Sequence, residues 1–271
     1  MQPPEVPVSQ LIAVEIADRV AQIRLNRADK RNALSFAMLA ELLALGKKLR
    51  KDKTLRAVLI SGEGPCFSAG IDLSDLRNPA NKVRAMWELS RPGPNLFQQV
   101  FLVWRELPVP VLALIHGHCY GAGLQLALGA DLRIATPDAQ LAIMEAKWGL
   151  VPDMGASVTL RQLIGLDRAR ELMMTARVLS GSQAKEIGLV SHVADDLVAK
   201  ARELVAELSD RSPDAVAAAK QLCNAMATED APTTIGLEKR LQRKLLMGKN
   251  FALAAKRAKD PSLQWGPREI G

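Results

Sequence analysis

Residues 109–134, VPVLALIHGHCYGAGLQLALGADLRI, run two apolar segments together with only a glycine-rich turn between them. The first reads as a buried β-strand, because its apolar residues do not alternate with polar ones. The second reads as an apolar helix that starts directly after the turn, with one amide, Gln125, near its tip. Elements of this kind need protein on all sides, so the segment demands a layered α/β core.

The flanking sequence supplies such layers. AVEIADRVAQIRLNR reads as a β-hairpin turning at Asp18-Arg19, and RAVLISGEG as a short apolar strand entering a glycine turn. Residues 32–50 repeat apolar side chains at helical spacing, through Leu34, Met38, Leu42, Leu45 and Leu49. Polar, proline-punctuated residues 77–95 suggest a mobile surface loop or a short helix. DLRIATPDAQLAI is again β-like, and from Ser157 onward the pattern is mostly helical. We divide the chain into an α/β core, residues 1–200, and a C-terminal helical region, residues 201–271.

The bulk properties exclude several classes. The chain has 271 residues and is 48% hydrophobic, enough for a substantial core. Its three cysteines, Cys66, Cys119 and Cys223, are odd in number and far apart, which argues for a reducing compartment rather than a disulfide framework. MQPPEVPVSQ lacks the basic start and apolar run of a secretory signal, and no apolar run suits a membrane span; a cytoplasmic location is expected. The net charge of +7 permits an anionic partner, but no aromatic interleaving accompanies the basic residues. Solvated helix faces or attraction of a phosphate-bearing ligand fit better than nucleic acid. No histidine or cysteine spacing suggests a metal.

Two glycine turns carry the chemistry. Ala69-Gly70-Ile71-Asp72 and Tyr120-Gly121-Ala122-Gly123 each leave a strand and head for a helix. Small residues let a ligand oxygen approach the backbone, and first-turn amides lack internal acceptors, so paired turns can form an oxyanion hole. Close helix–strand packing would need the same glycines. Gln125 can orient a water or a carbonyl but cannot take a proton at neutral pH. Proton-transfer candidates are Glu145, which interrupts an apolar run, and Asp153, eight residues later. Structural alternatives are an ion pair of Glu145 with Lys147 or Arg161, and an N-cap role for Asp153.

The ordered motifs LNRADKRNALS, CFSAGIDLSDL, PVLALIHGHCYGAGLQLALGADLRIA, IMEAKWGLVPDMG and LSGSQAKEIGLVSHV together resemble the enoyl-CoA hydratase/isomerase (crotonase) superfamily over roughly residues 10–260. The resemblance implies a spiral of β-β-α units with a C-terminal helical trimerisation region, assembled as a homotrimer or a hexamer made of two trimers. It implies an acyl-CoA thioester as substrate, with coenzyme A as part of the substrate and no separate cofactor. The enolate would be held by the backbone N–H groups of Ile71 and Ala122. Glu145 would be the general acid/base, Asp153 a second acid or orienting group, and Gln125 an orienting group for substrate or water. Coenzyme A would meet Arg27 and Lys30 with its phosphates and the backbone near Asn32, Ala33 and Ala69 with its adenine, on a surface that includes Ser68, Gly70 and Asp72, with Lys256 reaching a phosphate, if necessary across a subunit boundary. The family's hydratases carry a glutamate where Gln125 stands, so the departure favours double-bond isomerisation or slow hydration over efficient hydration. A 3-hydroxyacyl-CoA thioester hydrolase, a non-catalytic acyl-CoA binder and an RNA binder are the alternatives; neither a membrane nor a nucleic-acid partner is expected.

Overall fold

The computed structural model describes residues 10–271; the stretch that argued against a secretory signal lies outside that range except for Gln10. A hairpin opens the fold. Its strands β1 (Ile12–Ala17) and β2 (Val20–Leu25) pair antiparallel around Asp18 and Arg19, both of which have positive φ. Such a two-residue turn matches the natural twist of the strands it joins. Next come α1 (Phe36–Leu49), β3 (Ala57–Gly62), α2 (Leu73–Arg77), α3 (Pro79–Ser90), α4 (Leu96–Arg105) and β4 (Val111–Ile115). β5 (His118–Tyr120), α5 (Ala122–Leu128), β6 (Leu132–Ala135) and β7 (Gln140–Ala142) complete the central segment. The second half carries α6 (Ala156–Leu163), α7 (Leu166–Thr175), β8 (Leu179–Ser180), α8 (Gly181–Glu186) and β9 (His192–Val193). Four helices close it: α9 (Leu197–Ser209), α10 (Pro213–Thr228), α11 (Ala231–Leu246) and α12 (Lys249–Arg257).

Six strands form the main sheet in the order β1-β2-β3-β4-β6-β9, parallel from β2 onward. The second sheet, β5-β7-β8, stands beside it. The central strands are apolar on both faces because both are covered. Val58, Ile60, Val111, Ala113 and Ile115 face the large core built around α1, α4 and α5, whereas Leu59, Leu112, Leu114 and Ile134 face α9. Trp104, Phe101 and Phe67 are among the largest fully buried side chains of that large core.

The expected helix over residues 32–50 begins only at Phe36. Ser35 caps it, accepting a hydrogen bond from the Met38 amide, while Asn32 is held in the left-handed region with its side chain buried. Residues 77–95 contain a regular helix rather than a loop. Asn78 accepts from the Ala80 amide with Pro79 in the first turn, and buried Glu88 accepts from the Leu96 amide, fixing α3 onto α4.

A division between residues 200 and 201 cuts α9, whose Leu197, Ala201, Leu204, Val205 and Leu208 cover the main sheet. The chain turns away from the sheet at Ser212-Pro213, where Ser212 caps α10. α10 is pinned to the core by Lys220, whose ammonium donates to Asp131 at 2.6 Å and to the Trp104 and Val109 carbonyls. Residues 265–271 then cross back over the amino-terminal half. Arg56 donates to the Gly266 carbonyl, the Arg268 amide to the Lys53 carbonyl, and one Asp214 oxygen accepts from the Glu269 and Ile270 amides.

Removing the Lys220 ammonium would take from the Asp131 carboxylate its one ion-pair partner among the described residues, leaving it the Val111 amide and the more distant charges of Arg133 and Arg105. Lys220→Met is expected to destabilise the fold by about 3 kcal/mol, read from denaturant unfolding, and adding Asp131→Asn should recover part of the loss.

Candidate active site

The two glycine turns meet face to face. Gly70 has φ +103°, and a side-chain carbon built on it would lie 3.0 Å from the Tyr120 carbonyl oxygen and 3.9 Å from the Ala122 nitrogen. Gly121 has φ +48°, and a carbon there would come within 3.3 Å of Glu145 Oε1. Larger residues would be strained in backbone and crowded at both places. The site is therefore built around main chain that approaches main chain.

Ile71 and Ala122 reach the cavity by different routes. Ala122 is the first residue of α5, so its N–H has no acceptor in the helix. Ile71 lies outside any helix, one residue before Asp72, the N-cap of α2, so the expectation that both turns offer first-turn amides holds only for Ala122. Leu34 pairs with the residues on either side: its amide donates to the Gly70 carbonyl, and its carbonyl accepts from the Asp72 amide. Among the described residues, neither the Ile71 nor the Ala122 amide donates to a protein acceptor.

Both turns open on a cavity of about 250 Å³. Gln125, Glu145 and Asp153 line it as well. Glu145 starts a short 3-10 turn, residues 145–148, and is buried. It has no ion pair; Oε1 accepts from Gln125 Nε2 at 2.7 Å, and Oε2 is buried without a protein partner among the described residues. The alternative of a pair with Lys147 or Arg161 is thereby set aside; Arg161 donates to the Ala227 carbonyl instead. Burial raises the Glu145 pKa, the nearby Asp153 charge adds to the rise, and the hydrogen bonds from its own amide and from Gln125 oppose it. Asp153 has an exposed outer side, yet surrounding protein desolvates its carboxyl and raises its pKa too. It caps no helix, since the residue before α6 is Gly155.

Gln125 bridges two elements. While Nε2 holds Glu145, Oε1 accepts from the Met154 amide at 2.9 Å. The side chain thus joins the 3-10 turn to the Asp153-Met154 segment and positions Glu145, and its amide keeps a second N–H and a second lone pair beside the cavity.

The residues expected around coenzyme A cluster beside the first turn, with one exception. Lys30 and Ala69 are exposed and Ala33 is partly so. Arg27 donates through Nη1 to the Ala33 carbonyl and to Asp72 at 2.9 Å, which orients its guanidinium beside the turn. Asp72 also caps α2 through Ser74. Ser68 is wholly buried, donating to the Asn32 carbonyl and accepting from the Gly70 amide; it shapes the turn from behind and cannot touch a ligand. Asn32 likewise sends its amide to the Glu63 and Cys66 carbonyls. Lys256 sits exposed on α12, which packs on α11, and lines no part of the cavity.

Ala85 and Leu89, from the segment 77–95 that sequence reasoning assigned to the acyl pocket without naming residues, also line the cavity. Leu76 and Phe97, on α2 and α4, line it too and were missed; for Ala85 and Leu89 the Asn78-Pro79 helix start was the signal that would have fixed their face.

Comparison with known proteins places this arrangement. The family profile described as "Enoyl-CoA hydratase/isomerase" matches residues 15–257. A mitochondrial Delta(3,5)-Delta(2,4)-dienoyl-CoA isomerase of Rattus norvegicus is 38% identical over 74% of this chain and 64% of its own length. A mitochondrial methylglutaconyl-CoA hydratase of Mus musculus is 35% identical over 81% of this chain and 70% of its own. A Thermobifida fusca structure in complex with acetoacetyl-CoA superposes with a TM-score of 0.79 and 34% identity, covering 88% of this chain and 95% of that one. With nearly its whole length matched, the chain belongs to the enoyl-CoA hydratase/isomerase family of enzymes.

Proposed function

We propose that this enzyme shifts carbon–carbon double bonds in an unsaturated acyl-CoA, passing through a thioester enolate. Glu145 Oε2 takes a proton from the carbon chain, and the electron pair moves through the conjugated system onto the thioester oxygen. The Ile71 and Ala122 amides donate to that oxygen as its charge grows. Asp153, or Glu145 itself, returns a proton to another carbon, so product and substrate have the same composition.

One observation carries this reading above the others: a single buried carboxylate, with one oxygen fixed by Gln125 and the other unpartnered, shares a cavity with two unpaired amides. Both acids have pKa values raised toward the range where proton transfer is efficient near neutrality. Likeness to the dienoyl-CoA isomerase supports it further. Two-carboxylate hydration would require a second base at position 125, and the amide there cannot take a proton near neutrality. Coenzyme A is proposed to lie along the surface of Lys30, Ala33 and Ala69, where Lys30 and Arg31 are exposed cations. Assembly into a trimer or hexamer is proposed as well, supported by exposed Met247 and Phe251 at the C-terminal helices.

Incubation with a 3,5-dienoyl-CoA should yield an isomer of equal mass with an altered ultraviolet spectrum. Release of a free thiol, or a gain of one water as the main product, would overturn the proposal. Glu145→Gln is expected to lower kcat by at least about 10³-fold. The same substitution should raise thermal stability at pH 8 more than at pH 4. Glu145 has a folded-state pKa above its unfolded value, so its ionisation on going up in pH costs the folded state stability.

The acidic limb of kcat/KM should fall away at a pH above the ordinary glutamate range, because the base must lose its proton and burial holds that proton on. Gln125→Glu would set a carboxylate against Glu145 Oε1, forcing the two to share a proton. The limb is expected to move to higher pH still, and product analysis should show more water addition relative to isomerisation.

A further inference from the structure

Away from the reacting groups, the cavity wall is formed by Leu73, Leu76, Leu89, Phe97, Trp148 and Leu150, with no lysine, arginine or histidine among the lining residues. Among the described residues, the only ionisable groups lining it are Glu145 and Asp153, both acids. Cations on the elements that build the wall are turned elsewhere. Arg91 stacks over the Trp87 ring and pairs with Glu88, while Arg77, Lys82, Arg84 and Lys147 are exposed and outside the lining.

We propose that the site selects acyl groups whose far end is uncharged hydrocarbon and rejects those that end in a carboxylate. This rests on the acyl-CoA reading above and adds the class of acyl group. An apolar tail exchanges water for leucine, phenylalanine and tryptophan side chains, which is favourable. A terminal carboxylate entering the same wall would lose its hydration with no cation on a lining side chain among the described residues, and with only the amide of Gln125, beside the reacting groups, and the indole of half-exposed Trp148 as lining side-chain N–H donors. Two acids already stand in the cavity and add repulsion. Selection of this kind comes from what the wall withholds as well as from what it offers.

The test uses the full-length protein and a pair of saturated thioesters that cannot be isomerised: hexanoyl-CoA and its analogue bearing a carboxylate at the sixth carbon. Calorimetric titration at pH 7.5 should show the uncharged ligand binding at least about 100-fold more tightly. Leu89→Arg places a cation in the wall at a position 53% exposed, where the new side chain can be accommodated. It should narrow the gap at least tenfold. Equal affinities for the two ligands, or tighter binding of the carboxylated one, would overturn the selection and leave the acyl-CoA reading intact. A gap that Leu89→Arg does not narrow would overturn its assignment to this wall. Binding of neither thioester, with no turnover of any enoyl-CoA, would remove the underlying reading along with it.

Discussion

The amide of Gln125 has two partners, and the geometry of the site depends on satisfying both. Its nitrogen fixes one oxygen of Glu145, and its oxygen takes the amide of Met154. A glutamine can do this because it is donor and acceptor at once; a carboxylate in the same place would accept twice and repel Glu145. The consequence is a carboxylate with one oxygen anchored and the other left in a desolvated wall. Burial and orientation therefore act together, one adjusting proton affinity and the other fixing where the proton is exchanged.

This anchoring is useful only because main chain is brought close on the opposite side. Gly123 lets α5 pack on Ser68, since a side-chain carbon there would fall 2.7 Å from Ser68 Cβ. Ser68, wholly buried, in turn holds the Gly70 amide and the Asn32 carbonyl. Arg27, tied to Asp72 and Ala33, braces the same corner. Ser68 and Asn32 are thus consumed in shaping the turn, which leaves side-chain recognition there to exposed Lys30 and Arg31 and to the Arg27 groups not held by Asp72 and Ala33.

Much of this was readable in the sequence where local chemistry decides the outcome. The hairpin at Asp18-Arg19, the apolar central strands and the two glycine turns each follow from residue type and spacing alone. Glu145 and Asp153 could be singled out because acids amid apolar residues need a reason. What stayed hidden depends on partners distant in sequence. The pairing of Arg27 with Asp72, 45 residues away, is one such partner, and the bond from the Met154 amide to Gln125, 29 residues on, is another. The Ile71 amide is unpaired because Leu34 bonds its two neighbours, which no local pattern records. The α3 helix was different: a short helix was one of two readings for its segment, and the Asn78-Pro79 start decides between them.

The crossing made by residues 265–271 has a kinetic meaning. Arg56 meets the Trp265 and Gly266 carbonyls, and Arg268 the Asp52 carbonyl, across separations of 209, 210 and 216 positions. Bringing such distant points together costs chain entropy that is returned only once both anchoring surfaces exist. Both anchoring surfaces must be in place for this latch to close, so its bonds count among the long-range contacts that slow the folding of a chain.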